Sequence, residues 1–175
     1  EKKCIFSKIC YNEFFIKAKI MTHEQSLIIF KPDAVQRNLV GEIISRFERK
    51  GLKIIGLKMM HVSDVILEEH YAHIKDKPFF PGIRDFMKSS PVVVMAVSGI
   101  NAVSAIRLIV GPTKGFEADA GSIRGDFSMS VQSNLVHASD SVEAGVSEIA
   151  RFFEEDELFT YQKIDTDFVY ADNKS

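Results

Sequence analysis

The chain has 175 residues, the size of one ordinary domain, and 46% of them are hydrophobic, enough to fill a core. Its 22 basic and 24 acidic residues leave a net charge of −2, which excludes the global positive field of a typical nucleic-acid binder and makes any anion site local. Both cysteines, Cys4 and Cys10, precede the body of the chain, so a disulfide framework is excluded there and a reducing, cytoplasmic setting is expected.

The first twenty residues hold five lysines, and their longest apolar run is Phe14-Phe15-Ile16, too short for a secretory signal. Residues 1–20 are therefore set apart as an N-terminal extension, either a targeting segment or an artefact of where the chain starts. Residues 21–175 are expected to form a single domain. Leu27 to Phe30 reads as a short buried strand closed by Lys31-Pro32-Asp33. Leu39, Val40, Ile43, Ile44 and Phe47 recur at helical spacing, with Arg46, Arg49 and Lys50 near the end and Gly51 as a stop signal. Leu52 to Val62 is a second strand. Ser63 is placed to cap a helix carrying Glu68, Glu69, His70 and Tyr71.

A proline-rich stretch, Lys77 to Gly82, precedes a short helical piece at Ile83 to Lys88. Val92 to Val97 is the longest apolar run of the body and the clearest buried strand, far short of the ~20 residues a membrane helix needs. Asn101 is placed to cap a helix ending at Gly111-Pro112. An irregular stretch to about Gly125 follows, of a length that usually has a function. A strand is expected at Val131 to Val136. The last helix would bury Val142, Val146, Ile149 and Phe153 on one face, before an acidic and aromatic tail. Alternation of strands and helices by itself suggests a doubly wound parallel sheet.

Two apparent ligand sites fail on inspection. Gly51 to Gly56 has the glycine spacing of a P-loop, but Leu57-Lys58 follows instead of Lys and a hydroxyl residue, and the interior is strand-like. His70 and His73 are three apart but have no third ligand in the sequence nearby, so they read as two exposed helix histidines and no protein-held metal is expected.

The segment Asn134-Leu135-Val136-His137-Ala138-Ser139-Asp140-Ser141 carries more information. A strand-end histidine is followed by a small residue, a hydroxyl and a turn into a helix, with Asp140 and Glu143 resembling a capping box. An imidazole there would sit beside a helix N-terminus, a position suited to phosphate. Glu148, on the same helix, could reach back to fix the ring tautomer. Taken alone, a histidine at a strand end is more often structural or solvated.

Asn-x-x-His-Ala-Ser-Asp resembles the active-site signature of nucleoside diphosphate kinases. Phe30 to Arg37 with Val40 to Ile43, Glu69-His70-Tyr71, Lys77 to Phe80 and Ser122 to Phe127 resemble other motifs of that family in the same order, over about residues 25–165. The resemblance implies that His137 is the nucleophile, phosphorylated by ATP or another triphosphate and dephosphorylated by a diphosphate in a ping-pong cycle. It implies that Lys31, Arg107, Thr113 and Arg124 hold phosphates and that Asn134 binds the sugar and inner phosphate region. Tyr71 and Ser139 would steady phosphate and ring, Glu148 would orient the ring, and Phe79 would stack on the base. Stacking without readout implies broad base specificity.

Mg²⁺ is implied, held mostly by the nucleotide phosphates. So is a homo-oligomer, usually a hexamer and sometimes a tetramer, with no membrane and no specific nucleic acid as partner. The resemblance also replaces the parallel sheet by an α+β fold: a ferredoxin-like βαββαβ sandwich with a four-stranded antiparallel sheet, helices on one face and extra helices inserted between strands two and three. Two readings of other classes are weighed against the enzyme. A regulatory domain without turnover would have lost a named site residue, and a ferredoxin-like nucleic-acid binder would need a basic, aromatic stripe; the sequence has neither feature. Lys114-Gly115 and Ala120-Gly121 stand where the family commonly has Asn-Pro and Pro-Gly. A looser loop at a subunit contact is therefore expected, and Gly115→Pro should tighten it.

Overall fold

The computed structural model describes residues 23–171, so the expectations for residues 1–20 and for both cysteines lie outside the described residues. In chain order the elements are β1 His23–Phe30, α1 Pro32–Gln36, α2 Val40–Arg49, β2 Lys53–Met60, α3 Asp64–His70, α4 Phe80–Lys88, β3 Val92–Ile100, α5 Ala102–Val110, α6 Ile123–Phe127, β4 Val136–Ala138, α7 Val142–Phe152 and α8 Thr166–Val169. The four strands form one sheet in the order β2-β3-β1-β4, and each neighbouring pair is antiparallel. This is the ferredoxin-like α+β sandwich, and the parallel arrangement suggested by element alternation is wrong. Alternation constrains element order but not strand direction; that depends on how each connection returns to the sheet.

Side chains alternate between the two faces of a strand, and here both faces are buried. On one, Ile28, Phe30, Val93, Met95 and Val97 meet Ile43 and Phe47 of α2 and Ala102, Ile106 and Val110 of α5. On the other, Leu27, Ile29, Val92, Val94 and Ala96 meet Leu67 of α3, Met87 of α4, and Ile149 and Phe152 of α7. The expectation of helices on one face only is therefore corrected. The central strand β3 buries eight of its nine residues, which a sheet open to water on one side would not allow.

Several local expectations hold and others do not. Ser63 caps α3, accepting from the Ile66 N–H at 3.3 Å. Asn101 is left-handed (φ 52°) and makes no side-chain cap; Glu24 accepts from the Val103 N–H instead, at 3.0 Å. The strand expected at Val131 to Val136 is only Val136–Ala138. The cap of α7 is Ser141, not Asp140, and its buried face is Gly145, Ile149 and Phe152 while Val142 and Val146 are exposed. The supposed P-loop mimic runs into β2, with a register shift between Ile54 and Gly56. The long loop contains a 3-10 turn at Gly115–Glu117 as well as α6.

Gly115 is not a loosened proline site. A Cβ there would lie 2.4 Å from the Ser128 carbonyl oxygen, so the glycine permits a close approach and Gly115→Pro would disrupt the loop instead of tightening it. Among the described residues, no helix is long and apolar enough to cross a membrane.

Candidate active site

The register of β4 decides which way His137 points. Ile29 lies opposite both Val94 and His137, so the imidazole joins the face covered by α3, α4 and α7. The chain enters β4 through Leu135 in the left-handed region (φ 73°), a conformation that costs an L-residue about 1–2 kcal/mol. Three contacts hold it. The Leu135 N–H donates to Asp33 Oδ2 at 3.0 Å, its carbonyl accepts from the Lys31 N–H at 2.8 Å, and its side chain is fully buried.

Helix α7 supplies the partner of the ring. At Gly145 an added Cβ would stand 2.1 Å from the Gln25 carbonyl oxygen, so only glycine lets the helix lie this close on β1. Glu148, three residues on, then reaches His137: Nε2 and Glu148 Oε2 are 3.0 Å apart. The Ser139 hydroxyl donates to the same oxygen at 2.7 Å and accepts from the Leu27 N–H at 2.9 Å. Burial raises the Glu148 carboxyl pKa, but the bonds from His137 and Ser139 outweigh that and hold it below the usual glutamate value. With Nε2 engaged by a carboxylate, Nδ1 is the ring nitrogen left for chemistry.

The ring lies in a cavity of about 610 Å³ whose lining includes Lys31, Tyr71, Phe79, Arg107, Thr113, Arg124 and Asn134. Every site residue expected from the sequence is therefore in one cleft, except Ser139, which acts from behind through Glu148. Lys31 Nζ donates to Asn134 Oδ1 at 2.6 Å, and the Asn134 amide donates to the Thr113 carbonyl at 2.9 Å. Burial, with Arg124 nearby, lowers the Lys31 pKa to about 8 despite Asp33. Arg124 is buried and donates to the carbonyls of Gly111 (2.9 Å), Val136 (2.6 Å) and Asn134 (3.3 Å), tying the long loop to the strand that carries His137. Burial, with Arg107 nearby, lowers its pKa to about 10. Arg107 pairs with Asp140 at 2.8 Å. Phe79, at the N-terminus of α4, is 56% exposed and free to stack.

The family model for nucleoside diphosphate kinase matches residues 24–158. The nucleoside diphosphate kinase of Parabacteroides distasonis is 50% identical over 151 residues, 86% of this chain and 99% of that protein. Human nucleoside diphosphate kinase A is 46% identical over 147 residues, 84% of this chain and 97% of that one. Among solved structures, a halophilic nucleoside diphosphate kinase from Halobacterium salinarum in complex with CDP superposes with a TM-score of 0.83 at 40% identity, covering 85% of this chain and 99% of that one.

The chain belongs to the nucleoside diphosphate kinase family.

It is accordingly a phosphotransferase that moves terminal phosphates between nucleoside triphosphates and diphosphates. For a nucleoside diphosphate kinase the cleft has the right polarity, with three cations on its walls. It also contains what sequence reasoning missed. His70 is buried, not exposed, and its ring packs edge-on against His137 with centroids 4.4 Å apart. Its supposed companion, His73, lies beyond the end of α3 and is exposed. Leu67 and His70 share the buried side of α3, and that i, i+3 spacing is the signal that would have placed His70 inside. Burial, then His137, lowers the His70 pKa to about 3, so the ring is neutral. Burial, then Glu148, raises the Tyr71 hydroxyl to about 12, leaving it protonated and able to donate into the cleft. The Arg107–Asp140 pair joins residues far apart in the chain and has no local signal; by sequence Asp140 reads as a helix cap.

Proposed function

We propose that His137 is the phosphate carrier of this nucleoside diphosphate kinase, attacking through Nδ1. The observation that carries this reading is the His137–Glu148–Ser139 relay: a carboxylate on Nε2 keeps the ring proton there and leaves the Nδ1 lone pair facing a cationic cleft. In the first half-reaction Nδ1 forms a bond to the terminal phosphorus as the bridging P–O bond breaks, and the diphosphate leaves with that electron pair. The ring becomes cationic, and Glu148 stabilises the charge through Nε2–H. In the second half-reaction the terminal oxygen of an acceptor diphosphate reverses these steps.

Lys31, Arg107 and Arg124 supply positive charge where phosphoryl transfer needs it, and Tyr71 and Thr113 add hydroxyl donors. Asn134, already bridging Lys31 and Thr113, sits where it can exchange those bonds for sugar and phosphate oxygens. The carboxylates in the cleft, Asp140 and Glu148, are engaged by Arg107 and by His137 and Ser139. That arrangement suits a Mg²⁺ brought in on the nucleotide phosphates as part of the substrate, offsetting their charge. Phe79 offers a stacking face worth about 1–3 kcal/mol to any base, which supports turnover of purine and pyrimidine nucleotides within about a hundredfold.

The enzyme is further proposed to act in the cytoplasm as a homo-oligomer, a hexamer or a tetramer. Exposed Leu57 and Met59 on the edge strand β2, and Val146 on α7, are the kind of apolar surface a subunit contact would cover. Sedimentation and scattering measurements decide the assembly. The carrier assignment is tested with ATP labelled on its terminal phosphate. Label should stay on the chain, resist base, be lost in acid and chase to added diphosphate, and His137→Ala should take up none. Sequential kinetics, or label on the His137→Ala protein, would overturn it.

A further inference from the structure

The face that holds His137 contains a second arrangement of donors, which adds His70 to the pair that phosphoryl transfer uses. His70, His137 and Glu148 each present one ligand atom within 4.8 Å of the others. The carboxylate spans the two rings: Oε2 is 3.0 Å from His137 Nε2, and Oε1 is 3.9 Å from His70 Nδ1. His70 Nδ1 is buried and has no hydrogen-bond partner, although its side chain is only 1% exposed. A buried polar atom without a partner is costly, so this nitrogen is in want of one.

We propose that His70, His137 and Glu148 form a binding site for a zinc-class divalent ion, and that the ion silences the kinase by moving the ring proton of His137 from Nε2 to Nδ1. This rests on the reading above that Nδ1 is the attacking nitrogen.

Two imidazoles and a carboxylate suit zinc and not magnesium, which prefers oxygen ligands and retains its water. Ligand bonds of about 2.0–2.2 Å in a tetrahedral site place donors about 3.4 Å apart, and the present 3.0 and 3.9 Å separations straddle that value. Side-chain adjustments are enough. All three residues line the cleft, so an ion has a way in and a fourth position open to water.

The consequence follows from proton bookkeeping on one ring. A neutral imidazole carries a single proton. When Glu148 holds it on Nε2, Nδ1 has the free lone pair. An ion on Nε2 needs the lone pair there, so the proton moves to Nδ1 and the nucleophile is blocked with no net proton release. In the phosphohistidine form Nδ1 already carries phosphorus. The ion must then expel the Nε2 proton to solvent, so the phosphorylated enzyme should resist it.

The test uses the full chain and Zn²⁺ or Co²⁺ alone. Without nucleotide, Zn²⁺ should raise the melting temperature, and Co²⁺ should give the intense visible bands of a tetrahedral site. With Mg-nucleotide and free Zn²⁺ both held at fixed levels, turnover should be lower than without Zn²⁺, and a chelator should restore it. His70→Gln should weaken the Zn²⁺ effect at least tenfold, whereas His73→Ala, at the exposed neighbour, should keep it. Enzyme labelled beforehand on His137 should lose activity at higher Zn²⁺ than unlabelled enzyme.

Unchanged zinc binding and inhibition in His70→Gln overturn the proposal. So does a Co²⁺ spectrum that stays that of the hydrated ion, a readout that needs no variant to fold. A chase experiment that still labels His137 while these fail removes the metal site and leaves the kinase reading standing.

Discussion

The two faces of the sheet are built to different ends. On the face under α2 and α5, the buried positions named along the strands and helices are all apolar, from Phe47 to Val110. On the face under α3 and α7, the apolar floor of Leu27, Ile29 and Val94 continues into His70, His137, Ser139 and Glu148. The first face can optimise packing alone. The second must keep polar groups partly desolvated, hydrogen-bonded and in one orientation, and there the close approach at Gly145 is found. Both faces bury an apolar core, and the second also holds the His137, Ser139 and Glu148 cluster, with β1 and β3 shared between them.

The largest test of that division is Glu148→Gln. An amide preserves shape but no longer fixes the Nε2–H tautomer, so kcat should fall on the order of 10³- to 10⁴-fold, as for other orienting carboxylates. Thermal stability should change little. A rate within tenfold of the parent would show that the relay does not set the ring.

On the opposite face, Phe47→Ala removes a fully buried ring and should lower unfolding stability by about 3–5 kcal/mol. The fraction that remains folded should still form phosphoenzyme at the parental rate, measured by denaturant titration alongside single-turnover labelling. Loss of labelling in folded protein would mean the two faces are not separable.

Gly145→Ala probes the boundary between them. The added methyl meets the Gln25 carbonyl, and overpacking of this kind costs about 1–3 kcal/mol. Because α7 also carries Glu148, the same change should reduce kcat as well as stability. Gly41→Ala, where a Cβ meets nothing within 4 Å, serves as the comparison and should do neither.

The smallest effect is a pH dependence. Burial destabilises the charged form of Lys31, so its folded pKa, about 8, lies below the ordinary 10.5. Between those values the unfolded chain binds the proton and the folded one does not, so this group's contribution to stability grows as pH rises through that window. Function runs the other way. A neutral Lys31 cannot hold phosphate, and kcat/KM, which reports the free enzyme, should drop by up to about tenfold per unit above about pH 8. Lys31→Arg should flatten that limb; an unchanged limb would assign it to another group.

Much of this is legible in the sequence. Helical spacing marked α2, the run Val92 to Val97 marked β3, and the cleft residues from Lys31 to Glu148 could be named because their motifs stand in one order along the chain. What stayed hidden depended on distant partners. Asp140 looked like a helix cap because Glu143 follows at the right spacing, yet it faces Arg107 from another helix. Gly115 looked like a missing proline because the family commonly has one there, yet Ser128 packs against it.

The sequence by itself determined the element periods and the family, because these rest on local spacing and motif order. Only the tertiary structure decided strand direction, the covering of both sheet faces and the burial of His70 against His137. Those depend on how segments far apart in the chain return to one another, which local propensity does not encode.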